Sequence, residues 1–406
     1  MTVPFSGMSE PLYRPRGGAV SLIDNLQEYR QCLRDYDDPG GFVAFDTERA
    51  CGIRYLDRAY LIQAKAERSP LVLLDPIALG DLSDFGARCQ GATWVLHAAK
   101  EDLECMDWVG LHPPRLFDTQ IAAKLLGFEQ VGLGAVTEDV LGVKLAKNHT
   151  CENWSRRPLK QSWLDYAALD VDYLVDLALA LRSRLEEAGR WEWACQEFAF
   201  ALAHFRRPHD SEPWRRLKGA GRARSGFQLR VLRELFVQRD ELARAADLAP
   251  VRVLPNRDLV DLALNVPRSY QDLAQRPFMA NRQLRRYGRR WWQAIKQVRA
   301  LDSAQLPLRS APRELHMVTS LSAWEKIDSR RAELYRLLRA DVSYWANKNQ
   351  VWAEYALSPA VCRRVAAYWD SRSDLELLFS AGQARRWQVG VFLPRFERIC
   401  RLWDQG

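Results

Sequence analysis

Short apolar stretches bounded by polar or turn residues recur through the first half of the chain: FVAFDTE (42–48), AYLIQAK (59–65), LVLLDP (71–76) and TWVLHAA (93–99). Each is rich in Val, Ile, Leu or aromatic side chains and too short to be an independent helix, as buried strands are. Between and after them the apolar spacing lengthens to that of helices, in DLECMDWVG (102–110), DTQIAAKLLG (118–127) and the long SWLDYAALDVDYLVDLALALRSRLEEAG (162–189). This alternation predicts a mixed α/β domain.

From about residue 206 the strand signals vanish. Helical patterns follow, separated by turns at Pro208, Pro213, Pro250, Pro255, Pro267 and Pro277. QLPLRSAPREL (305–315) reads as a linker, and a second helical block runs from about 320 to 403. The expected organisation is a flexible arm over 1–18, an α/β domain over 19–205, one helical domain over 206–300, a linker over 301–319 and a second helical domain over 320–406.

Composition narrows the class. The 406 residues are 48% hydrophobic, with no apolar run long enough for a membrane span. The opening MTVPFSGMSEPLYRPRGG lacks the basic start and apolar centre of a signal peptide, so a cytoplasmic protein is expected. Eight cysteines, at 32, 51, 89, 105, 151, 195, 362 and 400, form no C-x-x-C pair, which argues against a zinc site or disulfide framework.

Charge adds a division of labour. Residues 1–205 hold 21 basic and 30 acidic side chains, net −9; residues 206–300 hold 22 and 9, net +13; the remainder hold 16 and 12, net +4. A basic middle beside an acidic front suits a protein that gathers phosphates with one part and uses carboxylates in another, although an Arg-rich solvated helical surface gives the same count. The densest basic cluster is Arg282, Arg285, Arg286, Arg289 and Arg290, interleaved with Tyr287, Trp291 and Trp292. It is a candidate nucleic-acid-binding surface if the aromatics stack bases, and a helix with a tryptophan core if they do not.

The candidate chemistry is carboxylate. Asp46 and Glu48 are two apart on a predicted strand, so both project from one face, where two buried negative charges repel unless a cation lies between them. Tyr166 and Asp170, four apart, share one helix face, and Ser162 with Asp165 resembles a capping box at that helix's start. Asp102 sits where the strand WVLHAAK gives way to a helix, a place that also suits an ordinary helix-dipole interaction. His97 reads more simply as a satisfied histidine at the core's rim. D-x-E and Y-x-x-x-D are each commonplace alone.

Their order is not. Carboxylates on a first strand, at a later strand-to-helix junction and on a late helix, with a tyrosine one turn before the last, resemble the tyrosine variant of the DEDD exonucleases. FDTERACGIRYLDRAYLIQ, LHAAKEDLECM, PPRLFDTQIAAKLLG and NWSRRPLKQSWLDYAALDVDYL narrow the resemblance to ribonuclease D over about residues 19–205. Residues 214–273 look like the HRDC module of RecQ-type helicases and ribonuclease D, and 320–403 is similar to it in outline. Arg49 departs from the pattern, standing where many relatives carry Phe or Ser.

The resemblance implies a ribonuclease H-like α/β exonuclease domain, a mixed sheet with flanking helices, followed by two all-α HRDC-like domains. It implies a metal-dependent 3′-to-5′ exoribonuclease acting on RNA with a free 3′ end, with no membrane and no obligate protein partner. Asp46, Glu48, Asp102 and Asp170 would hold two divalent ions, Mg²⁺ or Mn²⁺, and Tyr166 would orient the attacking water. A DNA exonuclease of the same superfamily, or a non-catalytic nucleic-acid-binding scaffold, are the rival expectations.

Overall fold

The computed structural model describes residues 10–146, 152–206, 210–301, 307, 314–370 and 372–405. Cys151, Pro208 and most of the expected linker lie outside the described residues. Six strands form one sheet: β1 (Leu22–Ile23), β2 (Phe42–Glu48), β3 (Leu61–Ala66), β4 (Val72–Leu74), β5 (Thr93–Leu96) and β6 (Leu116–Asp118), in the order β1-β4-β3-β2-β5-β6. β2 pairs antiparallel with β3, β3 antiparallel with β4, and the pairs β1–β4, β2–β5 and β5–β6 are parallel, which makes the sheet mixed. The four predicted strand stretches are all present; β1 and β6, two and three residues long, carry too little periodicity to be seen in sequence.

β2 is almost wholly buried because both its faces are covered. Phe45 stacks on Trp94 on one side, while Leu61, Leu73, Trp163, Leu164, Ala167 and Ala168 form a smaller cluster beneath the helix Gln161–Asp172. The apolar spacing predicts that this helix continues to residue 189. Instead it ends at Asp172, and Leu174–Glu187 is a separate helix.

The break has a local cause. Arg16 donates its backbone N–H to the Asp172 carboxylate at 2.7 Å, bonds the Asp172 carbonyl through its guanidinium, and lies over the Tyr173 ring. Of the expected loose arm, residues 1–9 lie outside the described residues; residues 10–18 lie against the domain, with Leu12 bridged to Leu145. The helix start also differs from expectation. Lys160 is its N-cap and supplies no side-chain bond, so Ser162 caps nothing; Asp165 instead accepts from Gln161 at 2.8 Å and pairs with Arg14.

The two helical blocks share an element order: a long helix, a four-residue turn of helix, a medium helix, a short helix and a terminal helix. In the first these are Gly226–Ala246, Pro250–Val253, Asn256–Leu264, Tyr270–Ala274 and Gly288–Arg299, with an additional four-residue helix, Arg282–Arg285, before the last; in the second, Ser329–Lys348, Ala353–Ala356, Pro359–Tyr368, Leu375–Ala381 and Arg386–Gln405.

They attach differently. The first has a hydrophobic core of its own, around Leu232, Leu235, Leu262 and Trp291, and meets the α/β domain at the loop after β2. There Ala249 donates to the Ile53 carbonyl at 3.0 Å, Arg252 to that of Gly52 at 3.1 Å, and the Tyr55 hydroxyl bonds Asp240 at 2.9 Å. The second shares one continuous core with the α/β domain. Glu197, almost fully buried, pairs with Arg385 at 2.7 Å and accepts from the Trp387 indole at 2.8 Å. Gly127 has φ +80°, and a Cβ there would lie 2.3 Å from the Gln350 carbonyl oxygen, so the close approach requires glycine.

Candidate active site

β2 presents Asp46 and Glu48 on the face covered by Gln161–Asp172, and that helix brings Tyr166 and Asp170 down over them. Ligand oxygens of Asp46, Glu48 and Asp170 all lie within 4.8 Å of one another. Asp102, in the first turn of the helix Lys100–Asp107, stands beside this trio. It accepts a 2.6 Å hydrogen bond from the Thr47 hydroxyl.

The turn that delivers Asp102 is fixed by Asp118. Its carboxylate accepts from the backbone N–H of Ala98 (3.1 Å) and Ala99 (2.8 Å), and also caps the next helix through Gln120 (2.9 Å) and Ile121 (3.2 Å). Ala98 has φ +60°, a conformation costly for alanine that these bonds hold in place. His97 is satisfied on one side only: its Nδ1 lies 2.8 Å from the Thr119 hydroxyl, while its buried Nε2 has no hydrogen-bond partner among the described residues.

Electrostatics set the four carboxylates apart. Burial is the largest influence on each, and mutual repulsion adds to it. Asp46 is held well above the ordinary range by desolvation and by Asp102, Asp170 and Glu48; Glu48 is likewise raised well above it by desolvation, Asp170 and Asp102. Desolvation raises Asp170 to about 7, against the hydrogen bond from Tyr166, and raises Asp102 to about 6, against the Thr47 bond and the charge of Arg49. The Tyr166 hydroxyl is raised too, by burial and these neighbouring acids, and stays protonated at neutral pH.

Anionic oxygens gathered with so little positive charge among them fit a divalent cation, and an all-oxygen donor set suits Mg²⁺ or Mn²⁺ better than zinc. One further observation points the same way. Gln63 is directly opposite Asp46 in the β2–β3 register, is fully buried, and neither of its side-chain polar atoms has a partner among the described residues.

The carboxylates floor a cleft of about 1020 Å³. Its near wall is the α/β domain, with Arg49, Lys100 and Gln120. The opposite wall comes from the second helical block, including Tyr355, Ser358, Gln383 and Arg385. Nothing in the sequence links residues some 200 positions apart to one cleft, and no pattern marks Thr47 as lining it or Gln63 as lying behind Asp46. Asp118 does carry a signal, its D-T-Q spacing ahead of a helix being that of an N-cap.

The basic cluster lies elsewhere, on the first helical block. Arg282, Arg285, Arg286, Arg289 and Arg290 are all exposed. Arg286 bonds the Tyr287 hydroxyl, and the other four have no carboxylate partner among the described residues. Trp291 is a core residue and Trp292 is half-buried with Arg299 over its ring, so neither tryptophan offers a free stacking face.

Fold and carboxylate site together define a 3′-5′ exonuclease. The family model described as 3'-5' exonuclease matches residues 20–186, the HRDC domain model residues 228–295, and a model described as 3' to 5' exonuclease C-terminal domain residues 318–399. A Pseudomonas paraeruginosa ribonuclease D is 33% identical over 291 residues, 70% of this chain and 76% of the relative. The chain belongs to the ribonuclease D family of 3′-5′ exoribonucleases.

Two solved structures are similar along most of the chain. A protein from Bifidobacterium adolescentis has TM-score 0.86 and 32% identity, covering 97% of this chain and 100% of its own. Escherichia coli RNase D, described as an exoribonuclease involved in structured RNA processing, has TM-score 0.71 and 22% identity, covering 94% and 98%, and speaks to the fold alone. Among the described residues no helix is long and apolar enough to cross a membrane.

Proposed function

We propose that this chain trims the 3′ ends of structured RNA precursors such as tRNA in the cytoplasm, releasing nucleoside 5′-monophosphates. The observation that carries the reading is the convergence of Asp46, Glu48 and Asp170 oxygens within 4.8 Å at the floor of a cleft, with Asp102 beside them. Asp46, Glu48, Asp102 and Asp170 would hold two divalent ions, Mg²⁺ or Mn²⁺. Such ions neutralise charge building on a scissile phosphate and lower the pKa of water.

The chain's own groups do the rest. Tyr166, one helical turn from Asp170 and protonated, orients the attacking water through its hydroxyl oxygen while its proton is donated to Asp170. Burial of the carboxylates keeps bulk water from competing for the reacting oxygens. The exposed arginines at 282, 285, 286, 289 and 290 add phosphate contacts far from the chemistry, which raises affinity without changing the chemical barrier.

The test is incubation of 5′-labelled RNA and DNA strands with Mg²⁺, with Mn²⁺ and with chelator. Stepwise shortening of RNA from the 3′ end, abolished by chelator, is the expected result. Preferential shortening of DNA would assign the other substrate class, and no shortening of either would leave a binding scaffold. Asp46→Asn should lower the rate by at least about 10³-fold with the fold intact, since an amide keeps the shape and removes the charge. Tyr166→Phe should lose less, about 10- to 100-fold. Near-native turnover of Asp46→Asn at saturating Mg²⁺ would sink the metal assignment.

A further inference from the structure

Arg49 follows Glu48 where β2 ends, and it lines the mouth of the cleft. Its guanidinium spans two acids: Asp57 in the loop that follows, at 3.0 Å, and Glu101 on the helix that carries Asp102. Both acids are more exposed than the arginine, with side chains 66% and 58% accessible against 29%. Ion pairs so open to water contribute at most about 1 kcal/mol. Exchanging either acid for another anion therefore costs little.

The arginine is also the cation whose charge draws Glu48 and Asp102 back toward ordinary carboxylate behaviour. Lys100, one residue before Glu101, lines the same mouth, is exposed, and has no carboxylate partner among the described residues.

Arg49 adjoins Glu48 at the end of β2 and lines the same cleft as the carboxylates, so it stands where the phosphate next to a linkage seated on them can meet a cation. That phosphate meets a field dominated by acids. A guanidinium offers two parallel N–H donors matched to two phosphate oxygens, which a compact ammonium does not. We propose that Arg49, supported by Lys100, forms a phosphate subsite for the backbone linkage immediately 5′ of the scissile one, releasing Asp57 or Glu101 to hold the incoming strand. The proposal rests on the exonuclease reading above and deepens it. Arg49 is a binding and positioning residue, and the chemistry stays with the carboxylates and Tyr166.

The experiment measures binding and single-turnover hydrolysis of short RNA strands in which one linkage at a time is an uncharged methylphosphonate. The native chain is compared with Arg49→Gln and Arg49→Lys, with Mn²⁺ affinity and thermal midpoint recorded for each. Arg49→Gln should weaken RNA binding about tenfold, which is about 1.4 kcal/mol, and change the saturated rate less than about threefold. It should not lower Mn²⁺ affinity, because removing a neighbouring cation cannot weaken attraction for a divalent ion. Arg49→Lys should recover part of the loss.

The deciding observation is linkage-specific. Neutralising the linkage 5′ of the scissile one should weaken native binding about as much as Arg49→Gln does, and should cost the Gln variant little more. Equal sensitivity of native and variant chains to that linkage overturns the subsite while leaving the exonuclease reading intact. A native chain inactive on every RNA strand overturns the exonuclease reading and the subsite with it. If Arg49→Gln unfolds, shown by its thermal midpoint, the same linkage comparison is made with Arg49→Lys, for which undiminished sensitivity likewise overturns the proposal.

Discussion

Gln63 lies directly across the antiparallel ladder from Asp46, on the same face of the sheet, and both polar atoms of its fully buried amide lack partners among the described residues. Opposed residues of this kind have Cβ atoms about 5 Å apart, so the amide is within reach of the carboxylate or of a water held by it. A buried amide without partners costs roughly 1–3 kcal/mol, which a purely structural position would avoid with leucine. Gln63→Leu should therefore leave metal-free thermal stability unchanged or raise it, while hydrolysis falls at least about tenfold. Calorimetry beside a rate assay checks this; a destabilised variant with native activity would make Gln63 an ordinary core residue.

The raised carboxylates give the apo protein a defined pH response. Asp102 and Asp170 are raised from 3.8 to about 6 and about 7. A group whose folded pKa exceeds its unfolded value binds its proton more tightly when folded, so the stability it contributes is full below about pH 4 and is lost as pH climbs through 6 and 7. Without metal, the contribution of these groups to the thermal midpoint should fall between pH 4 and 7.5, and Asp170→Asn should flatten the fall. Mn²⁺ affinity should rise over the same window because binding needs the deprotonated acids. A pH-independent difference between native and Asp170→Asn midpoints would contradict the raised values.

Sequence alone suggests that a cut near residue 205 leaves a working catalytic domain. The shared core argues otherwise. Arg385 is 11% and Glu197 3% accessible at the side chain, and removing one member of so buried a pair strands the other. Arg385→Met should cost about 3 kcal/mol or more in denaturant unfolding. A chain ending near 205 should aggregate or lose cooperative unfolding. A soluble truncated domain with native single-turnover rates would show the second helical block to be dispensable.

For the exposed arginines the measurement is RNA affinity across a salt series. Neutralising Arg285, Arg286, Arg289 and Arg290 together should flatten the logarithmic salt dependence by up to about 0.7 per lost phosphate contact on a single strand. Because these side chains are exposed, the thermal midpoint should hardly move. An unchanged salt slope in a folded variant would assign the cluster to something other than RNA.

Local rules make much of this protein legible in its sequence. Period-2 alternation places Asp46 and Glu48 on one strand face, and helical spacing places Tyr166 and Asp170 on one helix face, because both relations depend only on backbone geometry between near neighbours. Proline turns and the charge profile mark the helical region and its basic cluster in the same way. What the chain does between distant segments is decided by packing. Arg16 ends a helix at Asp172 by bonding its carboxylate and carbonyl, Asp118 holds the turn that delivers Asp102, and the Glu197–Arg385 pair closes a cleft across 188 positions of sequence. Such contacts have no period and no fixed spacing. They depend on which surfaces bury together, and only the folded molecule brings those surfaces into contact.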